Sequence, residues 1–128
     1  VKNDLAWAFV GSMPITPGHT LVCPVRCVAK LDDLSSEELK ALQALMVKVK
    51  KGLVKTVGAC GFNCAWNEGK VAGQSIDHLH IHIVPRAPGD AGIYGYEPRK
   101  FLYRPGSRKS SHEQELQEIA ALIKENLS

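Results

Sequence analysis

The chain has 128 residues, of which 45% are hydrophobic and 23% charged, so we expect one folded domain with a single core. The formal net charge of +3 suits a small polyanionic ligand and is too low to indicate a nucleic acid as the main partner.

No apolar run approaches the ~18–20 residues of a transmembrane helix, and no signal peptide is visible. The four cysteines fit neither a zinc knuckle nor a disulfide framework, which predicts reduced thiols in a cytoplasmic protein. Because the chain begins with Val1 on a strand-like segment, we expect an N-terminal piece to be missing or removed.

Two strands and a helix are predicted in the first half. Residues 5–10 are typical of a buried strand, and residues 19–25 of a second strand that is antiparallel to it because the connection is short. The helix begins after Ser35, which forms a capping box with Glu38, and ends near Gly58. Its apolar side chains recur at spacings of three and four and predict a face for the core or a dimer interface: Leu39, Leu42, Met46, Val49 and Leu53.

The second half repeats the order of two strands and a helix. Residues 62–67 resume strand character, and a glycine-containing loop leads to a strand over residues 77–85. The segment 85–109 is rich in Pro and Gly and carries six basic and two acidic residues, so an irregular basic segment is expected. A last helix lies within residues 110–128, capped near Ser111 with Gln114 at the third position. This order predicts an α+β fold, an antiparallel sheet with two helices, in one domain over residues 1–128.

Three histidines at alternating positions are the most informative feature of the chain. His78, His80 and His82 are separated by apolar residues, which is the period of a β-strand rather than a helix. In an extended strand the three imidazoles project from one face, ~6.6–6.8 Å apart, while the apolar residues point into the core. Because the unperturbed pKa of histidine lies near neutrality, such a face can donate, accept or attack.

Three interpretations of these histidines compete. The first is an exposed polar face, and the second is a metal site completed by a further ligand such as His19. The third is phosphoryl or nucleotidyl transfer, because a neutral imidazole is a good nucleophile for phosphorus and its neighbours can protonate the leaving group. The preceding loop carries Gly69, Gly73 and Ser75, whose N–H groups and hydroxyl suit phosphate oxygens, and it favours the third interpretation.

The same stretch resembles the signature of the histidine triad (HIT) superfamily. The resemblance begins with residues 74–84 (QSIDHLHIHIV) and extends upstream to residues 17–24 (PGHTLVCP), which contain the family's fourth histidine, His19. It also includes residues 67–69 (NEG), so it covers most of the chain through Arg86. The resemblance implies an antiparallel sheet with two helices that dimerises so that the two sheets become continuous.

The resemblance also implies a role for each histidine. His80 matches the nucleophile, which attacks the α-phosphate and forms a nucleotidyl-histidine intermediate. His82 matches the residue near the scissile bridging or leaving atom. His78 and His19 match the pair that supports and orients the nucleophile from behind.

The binding residues follow in the same way. Asn67, Gly73 and Ser75 match positions that contact phosphate, and Gln74 belongs to the signature without a separate role. No cofactor or metal is needed for this chemistry. Phe9 and Leu21 are candidates for an adenine pocket, together with Leu5 and Trp7, although strand aromatics are more often plain core.

The resemblance predicts a nucleotide hydrolase but leaves its substrate open. His82, where another branch has glutamine, argues against a uridylyltransferase. Residues 83–86 resemble the diadenosine polyphosphate hydrolases, whereas residues 67–69 and Ser75 resemble the nucleoside phosphoramidases. We expect diadenosine polyphosphates as substrates, with AMP-amine phosphoramidates as the alternative. A nucleotide-binding signalling module with little turnover is the alternative from another class.

Two further positions bear on ligand binding. Gly11 stands where the family usually has Asp or Asn bonded to the ribose hydroxyls, so the nucleoside preference stays open. Arg86, Arg99 and Arg104 either reach a distal phosphate or belong to a solvated basic loop.

Overall fold

The computed structural model describes residues 1–90 and 111–127. Within them, four strands form one sheet and two helices pack against it: β1 (Ala6–Val10), β2 (Thr20–Pro24), α1 (Ser36–Val57), β3 (Gly61–Ala65), β4 (Ile81–Arg86) and α2 (Glu113–Glu125). The strand order is β1-β2-β4-β3, and every neighbouring pair is antiparallel. The predicted α+β fold, with an antiparallel sheet and two helices, is confirmed.

The ends of α1 follow from local sequence chemistry. The Ser35 side chain accepts a hydrogen bond from the Glu38 N–H, and the Glu38 carboxylate accepts one from the Ser35 N–H, which completes the predicted capping box. Arg26 forms an ion pair with the same carboxylate at 2.7 Å. Hydrogen bonds from Arg26 and Ser35 lower the pKa of Glu38 to about 2. At the other end Gly58 adopts a left-handed conformation, as expected of a C-terminal cap.

The buried face of α1 differs in part from the predicted stripe. Leu42, Val49 and Leu53 are buried against the sheet as expected. Leu39, however, is 46% exposed, whereas Leu45 is only 3% exposed and belongs to the core. The buried arc of the helix is rotated towards Leu45 relative to the predicted stripe, and Leu39 lies outside it.

The strand β1 is half buried rather than buried throughout. Ala6 and Ala8 lie in the core, while Trp7 and Phe9 are exposed on the opposite face of the sheet. The alternation of small buried and large exposed residues shows that α1 approaches β1 closely. The large aromatic rings therefore face away from the helices.

The histidine-containing strand is shorter at its start than predicted. β4 begins at Ile81, so only His82 lies within it, and His78 and His80 lie in the irregular segment just before. The burial pattern nevertheless alternates through this segment, with Leu79 and Ile81 buried between partly exposed histidines. Because β4 continues to Arg86, the irregular segment does not begin at residue 85; residues 91–110 lie outside the described residues.

The last helix is confirmed, but its start is not. α2 follows His112 as N-cap residue, and no side chain caps it. The predicted N-cap, Ser111, is wrong by one residue. The Gln114 side-chain amide donates to Glu118 one turn later and not to the start of the helix. Neither described helix is long and apolar enough to cross a membrane. The four cysteines carry free thiols.

Candidate active site

The sheet register aligns three predicted site residues in one row. Phe9 on β1 lies opposite Leu21 on β2, and Leu21 lies opposite His82 on β4. Residues that face each other across neighbouring strands project from the same side of a sheet. The row therefore lies on the face turned away from α1, and the Trp7 ring packs beside Phe9 with centroids 4.9 Å apart.

His19 contacts His82. Its ring is only 2% exposed and follows Gly18, whose φ of 90° turns the chain into β2. The backbone N–H of Ile15 donates to Nδ1 of His19 at 3.0 Å, so in the neutral ring the hydrogen is on Nε2. Nε2 lies 2.9 Å from Nδ1 of His82 and donates to it. His82 therefore carries its own hydrogen on Nε2.

His80 has the opposite arrangement. Its Nδ1 lies 2.9 Å from the carbonyl oxygen of His78, which can only accept, so Nδ1 carries the hydrogen and Nε2 carries a lone pair. The His80 and His82 rings are neighbours, with centroids 5.2 Å apart and planes inclined by 66°. A nucleophilic nitrogen thus lies beside a ring that presents a donor N–H.

The hydrogen bonds of His19 and His78 define where these two rings lie. His19 was expected behind the nucleophile, but its imidazole bonds to His82, because residue 19 directly precedes the part of β2 that pairs with β4. The backbone carbonyl of His78 accepts from Nδ1 of His80. The His78 ring donates from Nε2 to the carbonyl of Pro24 at 2.8 Å.

The predicted phosphate-contacting residues share one loop that runs into His78. Asn67 is buried, and its amide donates to the Gly73 carbonyl at 3.4 Å. Between them the chain makes a short 3-10 turn, Lys70–Ala72, and Gly73 follows it with a φ of 92°. Ser75 is exposed two residues further on.

Two polar residues of this loop were missed as separate contributors. Gln74 is 3% exposed and accepts from the Gly69 N–H at 2.8 Å. Glu68 accepts from the Leu31 N–H at 2.9 Å. A polar side chain in a glycine-containing turn was the available signal, but burial and partners are not readable from sequence.

The remaining candidates lie at the edge of the site. Arg86 forms an ion pair with Asp90 and donates to Asn63 at 2.8 Å, so its guanidinium connects residues at the end of the sheet. Residues 99 and 104 lie outside the described residues. Gly11 donates its N–H to the carbonyl of His19 at 2.9 Å, and a Cβ there would lie 3.5 Å from that oxygen, which is ordinary contact. Glycine is therefore not required sterically at position 11.

The metal interpretation needs a cluster of ligating side chains. Across residues 1–90 and 111–127, no group of three or more His, Cys, Asp or Glu is arranged to hold an ion. His19 would have to give up its contacts with Ile15 and His82 to serve as a ligand.

Comparison with known proteins agrees with the sequence and the geometry. The chain is 40% identical over 89 residues to a bis(5'-nucleosyl)-tetraphosphatase (asymmetrical) of Schizosaccharomyces pombe, over 70% of this chain and 49% of that protein. It is 38% identical over 88 residues to a bis(5'-adenosyl)-triphosphatase of Dictyostelium discoideum, over 69% of this chain and 59% of that protein. This chain thus spans only about half the length of these relatives.

The fold has solved counterparts as well. The crystal structure of a HIT-like protein involved in cell-cycle regulation from Bartonella henselae superposes with a TM-score of 0.80 at 28% identity, covering 98% of this chain and 83% of that one. The HIT domain family profile matches residues 1–89. These residues contain all four histidines of the site, and the chain belongs to the histidine triad (HIT) family.

Proposed function

We propose that the protein is a hydrolase that cleaves diadenosine polyphosphates at the α-phosphate through a nucleotidyl intermediate on His80. The observation that carries the proposal is the pair of neighbouring rings with complementary nitrogens, the lone pair on Nε2 of His80 and the N–H on Nε2 of His82. The names of the two relatives, a tetraphosphatase and a triphosphatase of bis-nucleosides, support the substrate class.

In the first step, Nε2 of His80 attacks the α-phosphorus. The P–N bond forms, the bond from phosphorus to the bridging oxygen breaks, and the second nucleotide leaves with the electron pair. The His80 ring becomes cationic, and the His78 carbonyl that accepts from its Nδ1–H stabilises this charge. His82 donates a hydrogen bond from Nε2 to the departing oxygen.

In the second step, water attacks the phosphorus of the intermediate. The P–N bond breaks, His80 recovers its lone pair, and AMP leaves after the water has lost its proton to solvent. No step requires more than a hydrogen bond from His82, which is neutral when His19 donates to it. This arrangement favours a leaving group that departs as a phosphate anion over an amine, which must gain a proton.

The remaining site residues bind the nucleotide in this proposal. The loop residues Asn67, Gly73 and Ser75 contact the α-phosphate, since the loop leads directly into the histidines. Phe9 and Leu21 contact the adenine, because they share one row of the sheet with His82. With glycine at position 11 no side chain reaches the ribose from there, so we expect weak discrimination between ribose and deoxyribose.

We also propose that two copies pair through β3, so that the sheet continues across a homodimer. β3 is at the edge of the described sheet, and edge strands present unpaired backbone groups. On α1, the exposed side chains of Leu39, Val47 and Val54 lie on one face at helical spacing and would be covered by the second copy. Sedimentation of the wild type and of Val54→Glu tests this, and an unchanged sedimentation coefficient would contradict it.

The free thiols, three of them exposed, suit a reducing compartment such as the cytoplasm.

The proposed activity is tested by turnover of diadenosine tetraphosphate and of an AMP-amine conjugate, side by side. We expect AMP as a product of the first substrate and slower turnover of the second. His80→Asn should lower turnover by about 10⁴-fold or more, because the nucleophile is lost, while the affinity for AMP stays within a few-fold. His112→Asn, at an exposed position before α2, is the matched control.

Three outcomes would change the assignment. Absence of turnover in the wild type, with AMP still bound, would favour the nucleotide-binding module. Turnover that survives His80→Asn would contradict the mechanism. Faster turnover of the AMP-amine conjugate would make the protein a phosphoramidase.

A further inference from the structure

The loop of residues 67–75 is attached to the segment that connects β2 to α1. In the loop, the Glu68 carboxylate accepts from the Leu31 N–H at 2.9 Å, and just after the loop the Leu79 N–H donates to the Val28 carbonyl at 2.6 Å. The connecting segment is itself anchored to the start of α1 by the ion pair of Arg26 with Glu38. The position of the loop therefore depends on side-chain contacts that cross between two irregular segments.

Gln74 takes part in these contacts with both ends of its side-chain amide. Its Oε1 accepts from the Gly69 N–H at 2.8 Å, and its Nε2 donates to the Ala29 carbonyl at 2.9 Å. Its backbone N–H also donates to the Gly69 carbonyl at 3.1 Å. The side chain thus closes the loop on itself with one end and attaches it to the connecting segment with the other.

Burial makes both contacts of Gln74 obligatory. The residue is 3% exposed, so water cannot replace a partner that is lost without opening the loop. The flanking residues Gly73 and Ser75 are joined to it by single peptide bonds, and a shift of Gln74 moves both. A misplacement of about 1 Å in a positioned group can lower a rate about 10²-fold.

We propose that Gln74 is a positioning residue for phosphate binding. It holds the backbone at Gly73 and the hydroxyl donor of Ser75 where the α-phosphate must bind, without touching the substrate itself. This inference rests on the proposed function, in which the loop binds a nucleotide phosphate and Phe9 and Leu21 contact the adenine. The adenine side of the site lies on the sheet, so Gln74 should affect phosphate binding and leave nucleoside binding alone.

The first test compares AMP with adenosine as ligands in calorimetric titrations. We expect Gln74→Ala to weaken AMP binding by about tenfold or more, and adenosine binding by less than about twofold. Gln114→Ala is the matched control, since Gln114 is an exposed glutamine on α2 whose amide donates to Glu118 on the same helix. It should leave both affinities unchanged.

The second test uses Gln74→Glu, which keeps the size of the side chain. A protonated carboxyl offers the same acceptor and donor as the amide, whereas a carboxylate would face the Ala29 carbonyl with a negative oxygen. We expect the ratio of variant to wild-type AMP affinity to recover as the pH falls from about 8 to about 5. The nearby charged residues Glu68, Lys70 and Lys30 are present in both proteins.

The outcomes separate this inference from the proposed function. The positioning role would be overturned if Gln74→Ala lost AMP and adenosine affinity equally or lost neither. A pH-independent affinity ratio in Gln74→Glu would overturn it as well, while wild-type AMP binding would stand. A wild type that binds adenosine and AMP equally weakly would overturn the proposed function and, with it, the phosphate loop. If Gln74→Ala does not fold, the ratio measured with Gln74→Glu decides.

Discussion

Substitution of His19 by alanine tests two effects of its ring: its contribution to the free energy of unfolding and its control of the tautomer of His82. The ring is 2% exposed and connects the Ile15 N–H to Nδ1 of His82. Leaving the Ile15 amide without an acceptor costs about 1–3 kcal/mol. Truncation of a buried ring adds a cavity cost, for a total loss of about 3–4 kcal/mol in the free energy of unfolding. Most domains of this size would remain folded.

The catalytic effect of His19→Ala depends on the leaving group. Without the donor from residue 19, the hydrogen of His82 can move to Nδ1, and the departing oxygen loses its partner on Nε2. We expect turnover of a phenyl ester of AMP to fall by about 10²-fold, and that of the 4-nitrophenyl ester to fall less, because nitrophenolate needs less stabilisation.

Urea unfolding and initial rates on the two esters measure these effects. The rates are compared below the unfolding transition, and His112→Ala, at an exposed histidine, serves as the control. Equal losses on both esters, with the protein folded, would refute the tautomer argument. A free energy of unfolding that does not change would refute the assignment of the Ile15 hydrogen bond.

Three further outcomes are expected. Gly18→Ala should lower the free energy of unfolding by about 1–3 kcal/mol in denaturant titrations, because φ is +90° and the added Cβ would lie 3.0 Å from a Leu53 methyl. Glu38→Gln should be less stable than the wild type at neutral pH; since its folded-state pKa is lowered from 4.5 to about 2, the difference should vanish as the pH falls through that interval in pH-dependent melting. Iodoacetamide at pH 8 should label Cys27 in the native protein but spare Cys23, whose pKa burial raises to about 11, as mass spectrometry of peptides would show.

Local sequence chemistry predicted the elements well where neighbouring residues determine the outcome. The capping box of Ser35 with Glu38 and the C-terminal Gly58 follow from short-range hydrogen bonds and a permitted left-handed φ. The start of β4 was wrong because strand extent depends on pairing, and the partner strand β2 pairs only with residues 81–83 of β4. The predicted burial of Leu39 was wrong because the spacing rule gives a stripe along the helix but not the exact direction in which the packed helix faces the sheet.

The sequence by itself determined the fold class and the group of histidines, because alternation and turn residues are local patterns, and its resemblance to the HIT signature indicated the family. Only the tertiary structure decided which ring each histidine contacts, since that depends on the register of β2 with β4. The pairing of His19 with His82, the lone pair on His80 and the two contacts of Gln74 all join residues from separate segments or depend on their placement. Hydrogen-bond partners are fixed by position in space, and spacing along the chain does not encode them.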